Sequence, residues 1–152
     1  MPVPEGALVV DGKTFVRLGP DPAIRPEARG SYALVLQLDR PAEIAVGRLG
    51  VCEFAAGHYV YCGSALGGLH ARIARHLRAE KRLHWHVDHL LTVARVVDVW
   101  VCESPERLEC RLAAHLASRP GASHPVPGFG SSDCRCPSHL VAVSPAPQPW
   151  RT

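Results

Sequence analysis

Arg72, Arg75, His76 and Arg78 fall within one short basic stretch, Leu69 to Arg78, whose apolar residues Leu69, Ile73 and Leu77 recur at i, i+4 and i+8. That spacing predicts an amphipathic helix with the three apolar residues on its core-facing stripe. Arg72 and His76, one turn apart, flank the stripe, while Arg75 and Arg78 point further out. A guanidinium held by packing is a fixed fork of donors suited to phosphate oxygens, so the chemistry expected here is capture of a phosphate. The basic character continues along the chain. Between Leu69 and His86 lie Arg72, Arg75, Arg78, Lys81 and Arg82 against Glu80 alone, with four histidines besides. Such a patch is the footprint of a nucleic-acid binder, and the plainer alternative is a solvated helix face.

A second candidate is acidic. Ser104-Pro105-Glu106 reads as a helix start, with serine as N-cap and proline at the first helical position. Leu108, Leu112 and Leu116 then form a buried stripe, and Glu109 lies beside it. A carboxylate at the edge of a core needs a partner, which a divalent cation or an arginine supplies. His84, His86, His89 and Asp88 are also metal-ligand residue types. On a helix, however, His84 and Asp88 share one face and His86 and His89 another, so the four do not converge on one ion. A structural histidine or a phosphate contact is the expected role, with Trp85 packing between them. Residues 128–136, GFGSSDCRC, read as a loop whose hydroxyls, on Ser131 and Ser132, and backbone donors are dense enough to cradle an anion. Cys134, Cys136 and His139 raise the question of zinc, but a Cys-x-Cys pair is poor chelate geometry beside Cys-x-x-Cys. A zinc-stabilised scaffold therefore stands third among the alternatives.

Several strands must position these groups. The run from Tyr32 to Leu38 is apolar on both faces, which predicts a central strand covered on both sides. Shorter strands are expected from Glu43 to Gly47 and from Cys52 to Phe54. A further strand, His58 to Cys62, is punctuated by Gly63, Gly67 and Gly68 as a turn before the basic helix. Tyr32 then shares a face with Leu34 and Leu36, and Tyr59 with Tyr61, where the ordinary role is a half-buried residue with its hydroxyl paired. Leu83 to Val93 favours helix over strand, Ala94 to Cys102 is a strand, and His139 to Val143 is a final one. Ahead of all this, Asp11-Gly12 between two apolar runs signals a tight β-ribbon, followed by a linker marked by Pro20, Pro22 and Pro26. The expected division is residues 1–29 as ribbon and linker, 30–143 as one domain, and 144–152 as a disordered tail. The fold class is α+β, a small mainly antiparallel central sheet flanked by helices.

Composition bounds the function classes. With 152 residues the chain suits one domain, and 20% charged against 47% hydrophobic residues fits neither a disordered nor a membrane-spanning protein. No apolar run approaches the ~20 residues of a spanning helix, and the N-terminus lacks a basic segment followed by an apolar one. A soluble cytoplasmic protein with no membrane partner is expected, and its six cysteines are expected as reduced thiols. The net charge of +3 is modest; its concentration on one helix is what points to a polyanion.

Three motifs in order, Gly30-Ser31-Tyr32, Tyr61-Cys62-Gly63-Ser64-Ala65 and Arg72-x-x-Arg75-His76, resemble those of the GIY-YIG endonuclease superfamily. Its members include homing endonucleases and the incision domain of excision-repair nucleases. The chain is more similar to a small prokaryotic branch, the Uri-type endonucleases, in which the segment from His84 to Asp88 and the loop at 128–136 also have counterparts. The resemblance covers roughly Gly30 to Leu140. It implies a GIY-YIG-like fold and a metal-dependent endonuclease that hydrolyses DNA phosphodiester bonds, structure-selective or repair-related. By the same resemblance Glu109 is the ligand of Mg2+ or Mn2+, and Arg72 clamps the non-bridging oxygens. Tyr61, or after it Tyr32, serves as general base or positions the water, with His76 or His86 sharing the proton work. Ser64, Arg75, Arg78, Lys81, Arg82, His84, Ser131 and Ser132 are the expected nucleic-acid contacts. The implied partner is DNA, branched, single-stranded or damaged, and a domain this small points to structure-selective cutting or a homodimer. The alternative is a non-catalytic nucleic-acid-binding or repair-accessory module with the same fold.

Overall fold

Asp11 and Gly12, both at positive φ (49° and 78°), close a two-residue hairpin between β1 (Ala7–Val10) and β2 (Lys13–Arg17). This is the ribbon that the Asp-Gly pair predicts. The computed structural model describes residues 7–131 and 136–143. Ser132, Asp133, Cys134 and the expected tail at 144–152 lie outside them.

β3 (Gly30–Leu38) is buried along almost its whole length, as its two apolar faces require. Tyr32, Leu34, Leu36 and Leu38 face one layer, and Ala33 and Val35 the other. A separate two-stranded hairpin follows, β4 (Ala42–Ala45) with β5 (Val51–Phe54). β6 (Gly57–Ala65) pairs with β3, α1 (Leu69–Leu77) and the short α2 (His86–Leu90) come next, and β7 (Arg95–Glu103) pairs with the other side of β3. The chain continues through α3 (Glu109–Ala117) to β8 (Leu140–Val143) beside β6. The resulting six-stranded sheet has the order β1-β2-β7-β3-β6-β8 with every pair antiparallel. The expected fold class, an antiparallel sheet flanked by helices, is borne out.

The sheet separates two cores. On one face Leu69 and Ile73 of α1, with Val87 and Leu90 of α2, pack against Tyr32, Leu34, Tyr59 and Tyr61. On the other, Leu112, Ala113 and Leu116 of α3 pack against Val60, Cys62, Trp100 and the ribbon's Leu8 and Phe15. Among the described residues no helix is long and apolar enough to cross a membrane.

Local expectations shift in three places. β6 does not stop at Cys62 but continues through Gly63, Ser64 and Ala65, paired with Tyr32, Ser31 and Gly30. Gly63 is glycine because the Tyr32 ring covers it: a Cβ there would stand 2.5 Å from the ring's Cζ. Helix α3 begins at Glu109, later than Ser104-Pro105 predicts. Ser104 does cap locally, accepting the Glu106 N–H at 3.1 Å, but the Leu108 N–H is taken by the Ser31 hydroxyl at 2.9 Å. That side-chain bond offers the backbone an alternative to a helical turn. Helix α2 starts at His86, so His84 and Asp88 never share a helix face. Asp88 instead accepts the backbone N–H groups of both His84 and Trp85 at 2.8 Å.

Candidate functional site

The site is built at the end of β3 and β6 that carries Gly30 and Ala65. Register sets Ser31 opposite Ser64, and their hydroxyls lie 2.6 Å apart in a buried position. Ser64 donates to Glu109 Oε2. A hydroxyl has one proton, so Ser31 must donate to Ser64 while itself accepting from Leu108 N–H. This directed chain runs across two strands and ends on the first residue of α3. Of the two partners expected for Glu109, a cation or an arginine, no arginine pairs with it among the described residues. Ser64 takes one carboxylate oxygen and leaves Oε1 free of hydrogen bonds there.

Arg72 meets the same strand residue from the opposite face. Its Nη1 donates to the Ser64 carbonyl at 3.2 Å, and its guanidinium lies 4.5 Å from the centroid of the Trp85 ring. Arg75 lies 4.4 Å from the same ring. Cation–π contact and hydrogen bonding therefore hold the arginine fork that the helical pattern predicts would be held. Arg75 grips the fully buried Asp88 with two nitrogens, at 2.9 and 3.0 Å. Those bonds, with the two backbone donors, hold the Asp88 carboxyl below its ordinary range against the upward pull of burial.

Tyr32 and His76 form the buried polar centre. The Tyr32 hydroxyl lies 2.7 Å from His76 Nε2, and both residues are almost fully buried. Burial drives the His76 pKa down to about 3, so its imidazole is neutral at ordinary pH. Burial raises Tyr32 and Tyr61 above the ordinary phenol range, with the Arg72 charge pulling each back down. The Tyr61 ring packs edge-on to His76, centroids 6.1 Å apart. Among the described residues the Tyr61 hydroxyl makes no hydrogen bond, whereas the Tyr32 hydroxyl is committed to His76.

The structure thus gathers Tyr32, Arg72, His76, Ser64 and Glu109 near the Gly30 and Ala65 end of β3 and β6, with Tyr61 at the middle of β6 and its ring against His76. His86 sits one ring further out, beside Phe129, which in turn packs on Tyr61. Its Nδ1 accepts the Gly130 N–H at 2.8 Å, an arrangement that fastens the loop to α2. Gly130 holds φ +71°, and a Cβ there would come within 2.9 Å of the Tyr61 ring. Lys81 places its ammonium on the last carbonyls of α1, His76 at 2.5 Å and Arg75 at 3.3 Å. Arg78, Arg82 and His84 remain exposed, and Ser131 is buried. Ser132 lies outside the described residues.

Three contributors escaped the sequence reading. Ser31 looked like motif spacing, Trp85 like packing, and Asp88 like ligand material. The spacing of Trp85 and Asp88 from Arg75 is the signal for the last two, since an aromatic and an acid just beyond a basic helix can return onto it.

A family model described as "Domain of unknown function DUF123" matches residues 31–151. No curated protein matches the chain, nor does any solved structure.

Proposed function

Because the chain belongs to the DUF123 family, whose function is unknown, we propose its activity from the site: metal-dependent endonucleolytic hydrolysis of DNA phosphodiester bonds. One observation carries this reading. Arg72 and Glu109 both bond to Ser64, so a cationic fork and a carboxylate flank one residue at the end of β6. The finer likeness to the GIY-YIG superfamily and its Uri-type branch belongs to the same proposal. It is supported by the placement of Tyr32, Arg72, His76 and Glu109 near one strand end, with the Tyr61 ring packed on His76.

The residues present fit a magnesium or manganese ion. Such ions accept one or two carboxylates and complete their shell with water and phosphate oxygens, and Glu109 offers Oε1 for this. When bound, the ion supplies Lewis acidity and stabilises the leaving oxygen. Arg72, held on Trp85, neutralises the non-bridging oxygens as charge develops. Tyr61 meets the attacking water, because among the described residues its hydroxyl makes no hydrogen bond while that of Tyr32 is held by His76. As a neutral phenol Tyr61 orients the water, its pKa raised by burial and pulled back in part by the Arg72 charge. The neutral His76 keeps Tyr32 oriented and adds no positive charge beside it. Exposed Arg78, Arg82 and His84 extend the contact along the DNA backbone.

The test is a cleavage assay on single-stranded, branched and damaged DNA with magnesium or manganese, comparing the parent with Arg72→Ala and Glu109→Ala and measuring binding in parallel. Metal-dependent cutting that is lost in both variants, with binding retained, is the expected result. Salt-sensitive binding without cleavage under any divalent ion would transfer the function to a non-catalytic accessory module.

A further inference from the structure

Beside this site, on the α3 face of the sheet, stands a second cluster with different chemistry. Cys110 is the second residue of α3, Cys136 closes the glycine loop, and His139 immediately precedes β8. Their ligand atoms all lie within 4.8 Å of one another. We infer that Cys110, Cys136 and His139 bind a zinc ion, which ties the first turn of α3 to the loop and to the edge strand.

The distances suit that ion. Tetrahedral zinc with Zn–S of about 2.3 Å and Zn–N of about 2.0 Å sets neighbouring sulfur and nitrogen ligands roughly 3.5 Å apart. Cys110 Sγ and His139 Nε2 already stand at 3.4 Å. The remaining separations, none above 4.8 Å, need closure of at most about 1.3 Å to reach the same geometry. Thiolate and imidazole are the donors that select zinc over magnesium, which prefers hard oxygens. The ring is also held: His139 N–H donates to Phe129 O at 2.7 Å through the backbone, and the Gly130 backbone hydrogen-bonds to the imidazole. Outer bonds of this kind orient a histidine ligand toward its ion.

This set is not the one that Cys-x-Cys spacing suggests. Cys110 comes from a helix 26 positions earlier in sequence than Cys136, which no local spacing reveals. The three residues occupy three of four tetrahedral positions. Cys110 follows Glu109 directly, so a bound ion fixes the helix turn from which Glu109 reaches Ser64. The inference does not rest on the nuclease reading.

The experiment uses the full chain purified with reductant and without chelator. Metal analysis is expected to find about one zinc per chain, and cobalt(II) alone, added to the zinc-stripped protein, is expected to give a thiolate-to-cobalt charge-transfer band with intense tetrahedral d–d bands. Cys110→Ser, Cys136→Ser and His139→Gln should each lose or weaken the metal, while Glu109→Ala keeps it. Retention in Glu109→Ala separates this site from the magnesium or manganese site, and loss of cleavage there leaves the zinc result untouched. A folded, metal-free parent that gives no charge-transfer band with cobalt would overturn the inference. The cobalt spectrum of the parent decides the question even if the variants fail to fold.

Discussion

Arg72 and Glu109 reach the same residue from opposite faces of the sheet, one through the Ser64 carbonyl and the other through its hydroxyl. A strand displays its side chain on one face only, but its carbonyl lies in the plane where a side chain from the other layer can approach. That geometry lets helices from two separate cores contribute to one site.

Ser64→Ala should therefore loosen Glu109 and leave Arg72 in place. Removing the hydroxyl leaves the Ser31 proton without its acceptor and Glu109 without its hydroxyl donor, at a cost of about 1–3 kcal/mol. Thermal unfolding reads the stability loss. Cleavage titrated with magnesium should need a higher metal concentration, with the rate at saturation less affected.

Arg72→Ala should slow single-turnover cleavage by about 100-fold or more, the usual consequence of removing a charge aimed at a transition state. Arg72→Lys should recover little of it, because an ammonium cannot reproduce the planar fork stacked on Trp85. A lysine variant as fast as the parent would remove the clamp from the mechanism.

Stability should fall in acid between neutrality and pH 3. His76 has a folded pKa near 3 against an ordinary value of 6.5, so across that window the unfolded chain binds a proton that the folded chain refuses. Stability is thus complete above about pH 6.5 and declines as pH falls toward the folded value. His86, His115 and His139 are lowered by burial in the same direction and add to the slope. The depressed Asp88 contributes stability above its ordinary range, lost below it. Urea midpoints measured from pH 7 to pH 4 should show the decline, and His76→Gln should flatten it.

Asp88→Ala should be among the most damaging single changes. It removes the partner of Arg75 and the acceptor for two backbone N–H groups. Breaking a buried ion pair by deleting one member costs roughly 3–5 kcal/mol. The urea midpoint checks the loss, and circular dichroism checks whether α2 survives.

Gly63→Ala should disturb the site without altering any polar group. A methyl there meets the Tyr32 ring at 2.5 Å and must push it off His76. Overpacking of this kind costs about 1–3 kcal/mol. Near-ultraviolet circular dichroism, which senses tyrosine packing, should change along with the melting temperature.

Much of the frame was legible because its signals are local. Asp11-Gly12 encodes its own turn, the doubly apolar run of β3 encodes its central place, and Leu69, Ile73 and Leu77 encode the inner side of α1. Residues whose role depends on a distant strand were not legible. Gly63 looked like a turn because glycine usually is one, and only the register against Tyr32 explains it. Ser104 caps only a local turn, and the helix starts later, at Glu109, because the Ser31 hydroxyl, 77 positions from Leu108, takes that residue's N–H. The serine chain to Glu109 was equally hidden, since antiparallel register decides which two hydroxyls meet. The basic patch split in a way that charge counting could not foresee: Arg75 and Lys81 hold the fold, while Arg78 and Arg82 stay exposed.

Strand β3 lies between a near partner, β6, and a far one, β7, with Gly30 paired to Ala65 on one side and Glu103 on the other. During vectorial synthesis the pairing with β6 can be made first, while the opposite edge of β3 keeps its backbone donors and acceptors open until β7 leaves the ribosome. The N-terminal ribbon waits too, because β2 joins the sheet through β7. Helix α3 emerges later still. A nascent chain therefore carries both tyrosines on a half-built sheet before Glu109 arrives, and the acidic half of the site is assembled last.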